Sequence, residues 1–540
     1  MVTCLYDQLT MEKILFESSK YLKVEGELFI PEEDPDMEQI LFYQGYLSEV
    51  KGEIVGNKLF LSGIVEAHLL YRGKEVLDRA PEHGLIRKGA DGAAFKGEIE
   101  LPGFVADWDW QTRLTKICLQ PETARTIKYQ LELEVKLRAR KNYQVDFVKG
   151  IESEAKLNTL VEQMVSEEPV LLTYTNREIS NQFSISYPKP PVARILSYQV
   201  IPVNSTATLV KDRVNIEGKL EVYLVYLVLT EEGQEGGVEV QKWIEDNGGS
   251  IPFQITVDVP HTSNGLSINH EIWIEGVQIY SSHPENCRLQ ATIGAKVELF
   301  RAKPVKAVVE VSPGKDEIVD VLREISELIE VVEESERVIA VEKTLSLPSE
   351  MKNIRRVLLA SITEPKLNCQ LEDGQIFIAG ETQFALVYQV DTDEEAPLLA
   401  TAFWGQGEIE PITFGDYLEM PGVEEGMKAR VYLNTNHLKV EQIDERTIKL
   451  FLDLKTRIKI TQTKTLALVT DSALISPLDG PKPSMLFYLV QPGDTLWKIA
   501  RRYNTTMESI TQENQLTAES VVVGEKLLIP KKPWSPNKLI

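Results

Sequence analysis

Apolar and polar residues alternate along three long stretches of the chain, "TIKYQLELEVKLRA" from Thr126, "CRLQATIGAKVELF" from Cys287 and "TIKLFLDLKTRIKI" from Thr447. A period of two is the signature of a half-buried strand. Upstream of each stands a second recurring pattern: "KLFLSGIVEAHLLY", "RVNIEGKLEVYLVY" and "QIFIAGETQFALVY". Each sets a glycine eight residues before a tyrosine, pairing Gly63 with Tyr71, Gly218 with Tyr226 and Gly380 with Tyr388. Apolar residues fall four and two positions before each glycine, at Leu59 and Leu61, Val214 and Ile216, Ile376 and Ile378. A branched aliphatic stands twenty-three residues before it, at Ile40, Ile195 and Val357. Downstream, "FKGEIELP", "FQITVDVP" and "FGDYLEMP" place Phe95, Phe253 and Phe414 seven residues ahead of Pro102, Pro260 and Pro421.

The glycines recur after 155 and 162 residues, far beyond the period of a solenoid or propeller, so each repeat should own a core. Short Val-, Ile-, Tyr- and Thr-rich strands between turn residues predict antiparallel sheets packed as a sandwich or open barrel. The repeated glycine marks a bulge or a close backbone approach, and the repeated tyrosine a core or interface residue. Two stretches break the alternation. "ESEAKLNTLVEQMVS" (152–166) and "DEIVDVLREISELIEVVEES" (316–335) space apolar residues by three and four, with Ile318, Leu322, Ile325, Leu328 and Val332 on one stripe, and predict helices.

The break "PLDGPKP" (477–483) announces a different module. "FYLV" reads as a strand and "PGD" as a turn, with Asp494 capping a helix whose Leu496, Ile499, Ala500 and Tyr503 share a face. Thr505 and Glu508 form a capping box for a second helix carrying Met507 and Ile510, and "GEKLLIP" (524–530) closes with a strand. The fold class is therefore mainly β: three tandem β-sandwich-like repeat domains joined by helical linkers, then a small α+β (βααβ) domain. The expected boundaries are an N-terminal segment at 1–24, repeats at 25–150, 178–303 and 340–463, and linkers at 151–177, 304–339 (acidic) and 464–485. The small domain occupies 486–532 and a tail 533–540.

Composition narrows the function. The balance of 58 basic and 82 acidic residues gives a net charge of -24, which disfavours nucleic acid and anionic lipid. Residues 487–540 hold 7 basic and 5 acidic side chains, leaving 51 and 77 for the rest, so the charge is segregated. Nowhere is there a run of about 18 apolar residues able to cross a bilayer, nor an export signal in "MVTCLYDQLTMEKILFESSKYLKVEGELF". Cys4, Cys118, Cys287 and Cys369 lack metal or disulfide spacing and suit a reducing compartment. Catalytic constellations are missing too. His270 and Glu271 open "HEIWI", but a zinc helix needs histidine where Ile274 stands. His68, His83, His261, His283 and His437 have no counterparts in the other repeats. "DTDEE" (391–395) lacks the glycine and later glutamate of a calcium loop. The chain reads as a non-enzyme with no cofactor, metal or catalytic residue.

Tyr488, Val490, Gly493, Asp494, Thr495, Leu496, Ile499, Ala500, Tyr503, Asn514, Gly524, Leu527, Ile529 and Pro530 closely resemble the LysM domain pattern. That resemblance implies a shallow groove for N-acetylglucosamine polymers, formed by Gly493, Asp494, Thr495 and Leu496 on one side and Leu516, Thr517, Val521 and Val522 on the other. The second side lacks the Asn-Pro and aromatic residues of sugar-binding members, and an apolar rim suits a protein partner. The repeats resemble the SPOCS domain, and repeats followed by one LysM resemble the SipL-like coat morphogenetic proteins of endospore formers. The resemblance implies a mother-cell protein, later in the spore coat at the forespore surface. There it would act as a scaffold docking coat layers through the coat ATPase, stage IV sporulation protein A. A peptidoglycan-binding adaptor at the cortex–coat interface is the alternative, and self-association is a further expectation. Under either, a wall-reading module needs no export, because the forespore lies inside the mother cell.

Overall fold

In the computed structural model, described for residues 2–32, 34–74, 83–103, 107–153, 157–185, 188–244, 249–259, 266–313, 318–363, 365–392, 398–405, 409–475, 485–492, 494–503, 505–516 and 521–530, the chain is 79% strand and 3% helix. The first repeat comprises β1 (Val2–Phe29), β2 (Met37–Val55), β3 (Lys58–Gly73), β4 (His83–Glu100), β5 (Asp107–Pro121) and β6 (Thr126–Ser153). The second comprises β7 (Leu157–Ser184), β8 (Val192–Val210), β9 (Arg213–Leu229), β10 (Glu235–Trp243), β11 (Ile251–Asp258), β12 (Leu266–His283) and β13 (Asn286–Pro313). The third comprises β14 (Ile318–Ser346), β15 (Ile354–Ile362), β16 (Lys366–Glu372), β17 (Gln375–Thr382), β18 (Phe384–Val390), β19 (Leu399–Trp404), β20 (Ile412–Glu419), β21 (Lys428–Gln442) and β22 (Thr447–Ile475).

The first two repeats each build two antiparallel sheets and the third builds three. One runs β1-β6-β5, β7-β13-β12 or β14-β22-β21; the other runs β2-β3-β4 and, in the second repeat, β8-β9 with β10 and β11. In the third repeat the latter sheet splits into β15-β18-β19 and β16-β17-β20. Buried residues from both sheets fall in one cluster, such as Val214, Ile216, Ile255, Leu289 and Ile293 in the second repeat.

The repeated residues make repeated contacts. Gly63 pairs across the ladder with Phe95, Gly218 with Phe253 and Gly380 with Phe414. The phenylalanine ring lies over the glycine: a Cβ on Gly63 would fall 2.7 Å from Phe95, and one on Gly380 would fall 2.8 Å from the Lys366 carbonyl oxygen as well as on the Phe414 ring. Any other residue there collides. The phenols of Tyr71, Tyr226 and Tyr388 are fully buried and donate to the carbonyls of Pro35, Pro190 and Lys352 at 2.9, 3.0 and 3.0 Å, each acceptor 36 residues upstream. Burial raises the pKa of all three phenols, so they stay protonated donors.

Where helices were expected at 152–166 and 316–335, the described residues are strand: 152–153 end β6, 157–166 open β7 and 318–335 open β14. The 28 and 29 residues of β7 and β14 run through the boundaries drawn at 177/178 and 339/340. The β14–β22 ladder shifts register twice: at Leu322 and Arg323 the extra residue is Thr470 of β22, and between Val331 and Glu333 it is Val332 of β14. Pairing along the whole length of β22 therefore overrides the spacing of three and four. Leu322 and Ile325 of the supposed apolar stripe are 59% and 76% exposed, whereas Leu328 is fully buried.

The three repeats close into a ring. β12 packs on β2, β21 on β8 and β19 on β2, while β6, β13 and β22 all touch one another. Leu41, Leu196 and Leu358, at matching positions, share one cluster with Leu70, Val225 and Val387. The outer halves of the long ribbons converge in another, formed by Leu9, Phe147, Met164, Ala307, Leu328 and Leu468. Arg138, Glu298 and Lys459 hold the same place in β6, β13 and β22, and around them lies a buried polar layer. Lys296 contacts Glu298 at 3.2 Å and Asp109 at 3.6 Å, all three side chains under 10% exposed. Tyr432 donates to Glu298 at 3.2 Å, and Tyr174 donates to Asp109. Burial alone would raise the Glu298 carboxyl, but Lys296, Arg430 and Arg138 outweigh it and hold it low.

His270 lies in β12, where no HExxH helix can form, with Nε2 3.1 Å from Ser205 Oγ. Burial, then Arg457 and Lys455, push its imidazole down to about 4. Because the folded value lies below the unfolded one, near 6.5, its contribution is full above pH 6.5 and declines as pH falls toward 4, by roughly 3 kcal/mol in all. His270→Gln should flatten the loss of unfolding free energy between pH 6.5 and 4.5. An unchanged pH slope in denaturant titrations would refute this.

Candidate functional site

The C-terminal module is built from β23 (Met485–Leu489), α1 (Leu496–Arg502), α2 (Met507–Glu513) and β24 (Lys526–Pro530), with β23 and β24 paired antiparallel. Its core is eight buried residues: Tyr488, Val490, Leu496, Ile499, Ala500, Ile510, Leu527 and Ile529. So small a core depends on polar staples. Asn514 is the main one: its amide donates to the carbonyls of Ile510 and Leu528 at 2.8 and 2.7 Å, and its oxygen accepts from Leu528 N–H at 2.7 Å. The helix caps lie one residue beyond the expected ones. Thr495 caps α1 by accepting from Lys498 N–H, and Thr506 caps α2 by accepting from Ser509 N–H.

Asp494 instead organises the turn before α1. It accepts from the Tyr488 phenol at 2.6 Å and from Gln491 N–H at 2.9 Å, and the Arg502 guanidinium donates to the same phenol at 2.6 Å. Those hydrogen bonds, led by the phenol, hold the Asp494 carboxyl below the usual range. On the opposite loop, Gly524 has φ +87°, a left-handed conformation that favours glycine, and donates to the Val490 carbonyl at 2.9 Å. Val522 N–H donates to Glu525 Oε2 at 3.0 Å.

Of the expected groove residues, Asp494 and Thr495 lie in the turn and first cap, and Val522 is 70% exposed. Leu496, expected on the groove wall, has its side chain in the core with Tyr488, Val490 and Ile529, 1% exposed. Leu516 and Val521 are half-buried and pack against the same core. Gly493 and Thr517 lie outside the described residues. Sequence reasoning passed over Trp497, half-exposed on α1 with the Arg501 guanidinium 5.0 Å from its ring, and Phe487, exposed on β23 with Lys526 Nζ 4.5 Å from its ring. The signal was available, since each neighbours a core position and so faces outward. The surface thus combines exposed apolar groups with cations, which suits a ligand presenting both apolar and anionic or polar faces.

Among the described residues no helix is long and apolar enough to cross a membrane, and no group of His, Cys, Asp and Glu is placed to hold a metal ion. Residues 488–530 match the LysM domain family model, and residues 191–280 match the SipL, SPOCS domain model. Over 46 residues the chain is 44% identical to the probable peptidoglycan endopeptidase LytE of Bacillus subtilis (strain 168), a match covering 8% of this chain and 14% of that protein. No solved structure matches the chain. The chain therefore carries a SipL-type SPOCS domain within its second repeat and a LysM domain at its C-terminus.

Proposed function

We propose that this protein is a non-enzymatic scaffold of endospore coat assembly. Three tandem sandwich-like SPOCS units and the LysM domain would dock coat layers on the forespore surface through protein contacts. The observation that carries this reading is the recurrence, in the flanking repeats, of the Gly–Phe contact made inside the matched SPOCS segment and of the Tyr–carbonyl contact at its edge, on a chain that also carries LysM. Both matched domains are binding or adaptor modules, and the first points to a sporulation-related role. The coat ATPase, stage IV sporulation protein A, is the partner proposed, met from the mother-cell cytoplasm. An acidic body joined to a mildly basic LysM suits two partners of different charge.

A second reading, an adaptor gripping N-acetylglucosamine polymers at the cortex–coat interface, is favoured by the likeness of the LysM segment to a probable peptidoglycan endopeptidase. Exposed Trp497 could stack on a sugar ring as readily as on a protein side chain. Val522→Glu and Trp497→Ala, both at exposed positions, separate the two. Under the scaffold reading each variant loses at least tenfold in co-purified coat ATPase, with circular dichroism unchanged. Retained ATPase together with lost binding of chitin oligomers would install the second reading.

A further inference from the structure

The ring is not closed evenly. Where the first and second repeats meet, Tyr46 and His68 of the first fill the space against Tyr198 of the second, with ring centroids 5.3 and 5.1 Å apart in succession. The positions matching Tyr46 and His68 in the third repeat hold Thr363 and Ala385, which are far smaller. The sheet of the third repeat also breaks there, at Pro365, Gln383 and Gly405. A cleft of about 1080 Å³ results between the third repeat and the first.

The cleft is lined by β5, a sheet edge whose counterparts β12 and β21 are covered by β2 and β8 of the preceding repeat. An uncovered edge presents backbone donors and acceptors to any strand that can reach it. Leu114, Ile117, Leu367 and Leu433, each also packed on the core of its own repeat, line the same space, as do seven cations and the carboxylates of Glu17, Asp109, Glu132, Glu134, Glu271 and Glu381. Arg138 and Glu17 form an ion pair here, as do Arg113 and Glu271, and Arg430 is engaged by Tyr432 and Glu298, whereas among the described residues no carboxylate lies within ion-pair distance of Lys136. Burial and then neighbouring Arg113 push the Lys136 ammonium below its usual range, so an anion beside it would be welcome.

We propose that this cleft binds an extended polypeptide segment in which apolar and acidic residues alternate, added as a strand beside β5. Backbone pairing supplies the affinity, the apolar wall takes one set of side chains, and Lys136 takes a carboxylate of the other. The inference stands apart from the proposed coat function and from the LysM domain.

The test uses the full chain and three acetylated, amidated octapeptides, (Val-Glu)₄, (Val-Gln)₄ and (Val-Lys)₄, in calorimetric titrations. (Val-Glu)₄ should bind at least tenfold tighter than (Val-Gln)₄, and (Val-Lys)₄ should not bind. Lys136→Glu should reverse that order. Thr363→Tyr with Ala385→His, which installs the side chains of the first interface, should abolish binding of all three. If the filled variant does not fold, the rate at which a thiol reagent modifies Cys118, half-exposed on the cleft wall, gives an independent reading. (Val-Glu)₄ should slow that rate severalfold in the wild-type chain. No binding to the wild-type chain, binding that survives filling, an order of preference that charge reversal leaves alone, or a Cys118 rate insensitive to peptide would each overturn the proposal.

Discussion

Tyr226→Ala is expected to lower the unfolding free energy of the second repeat by about 4 kcal/mol, because it removes a fully buried ring and leaves a cavity that a close-packed sheet cannot fill. Tyr226→Phe is expected to cost about 1 to 2 kcal/mol, the penalty of leaving the Pro190 carbonyl without its donor. The matching substitutions at Tyr71 and Tyr388 should show the same ratio, since all three phenols reach a carbonyl 36 residues upstream. Urea denaturation of the six variants checks this. Equal effects for alanine and phenylalanine would mean that the hydroxyl, and not the ring, holds the site.

Lys296→Met should have a comparable effect, on the order of 3 to 5 kcal/mol, by stranding Asp109 and Glu298 in a buried layer without their shared cation. Its character differs from that of a packing defect. Adding Asp109→Asn and Glu298→Gln to Lys296→Met should recover most of the loss, since neutral partners no longer demand a counter-charge. The loss should also shrink as pH falls, because the wild-type pair itself weakens once Glu298, whose folded pKa is depressed, takes up a proton. A loss below about 1 kcal/mol, or no recovery in the triple variant, would show that Lys296 is dispensable to the ring.

Much of the fold was legible in the residues because sheets write their pairing into a period of two. The Gly218–Tyr226 spacing and its two siblings located strands whose ladders and phenol contacts now coincide. The small C-terminal domain was legible because eight core residues leave little freedom. What escaped was of two kinds. Apolar residues in β14 fall at a helical spacing although the segment pairs as a strand, and no local rule distinguishes the two when partner pairing decides. The gathering of Leu9, Met164 and Leu468 into one cluster depends on how three similar units meet, which their shared pattern does not encode. In the LysM site, Leu496 belongs to the motif because the core needs it, and a motif residue is easily mistaken for a contact residue. The cleft beside β5 was hidden in a difference of size, Tyr46 against Thr363, between positions that alternate identically.

The convergence of the three ribbons also sets an order of events during synthesis. Cys4 and Tyr6 find partners in Ser472 and Asp471, which are made 468 and 465 residues later. Joining ends so far apart adds little to the equilibrium cost of closure, which grows only with the logarithm of loop length. It matters greatly for timing. At about 5 to 20 residues per second, Leu9 and Met11 wait on the order of half a minute or more before Leu468 arrives to cover them. The first ribbon is therefore sticky while the intervening repeats are made, and a chaperone that shields it would raise the yield of closed rings.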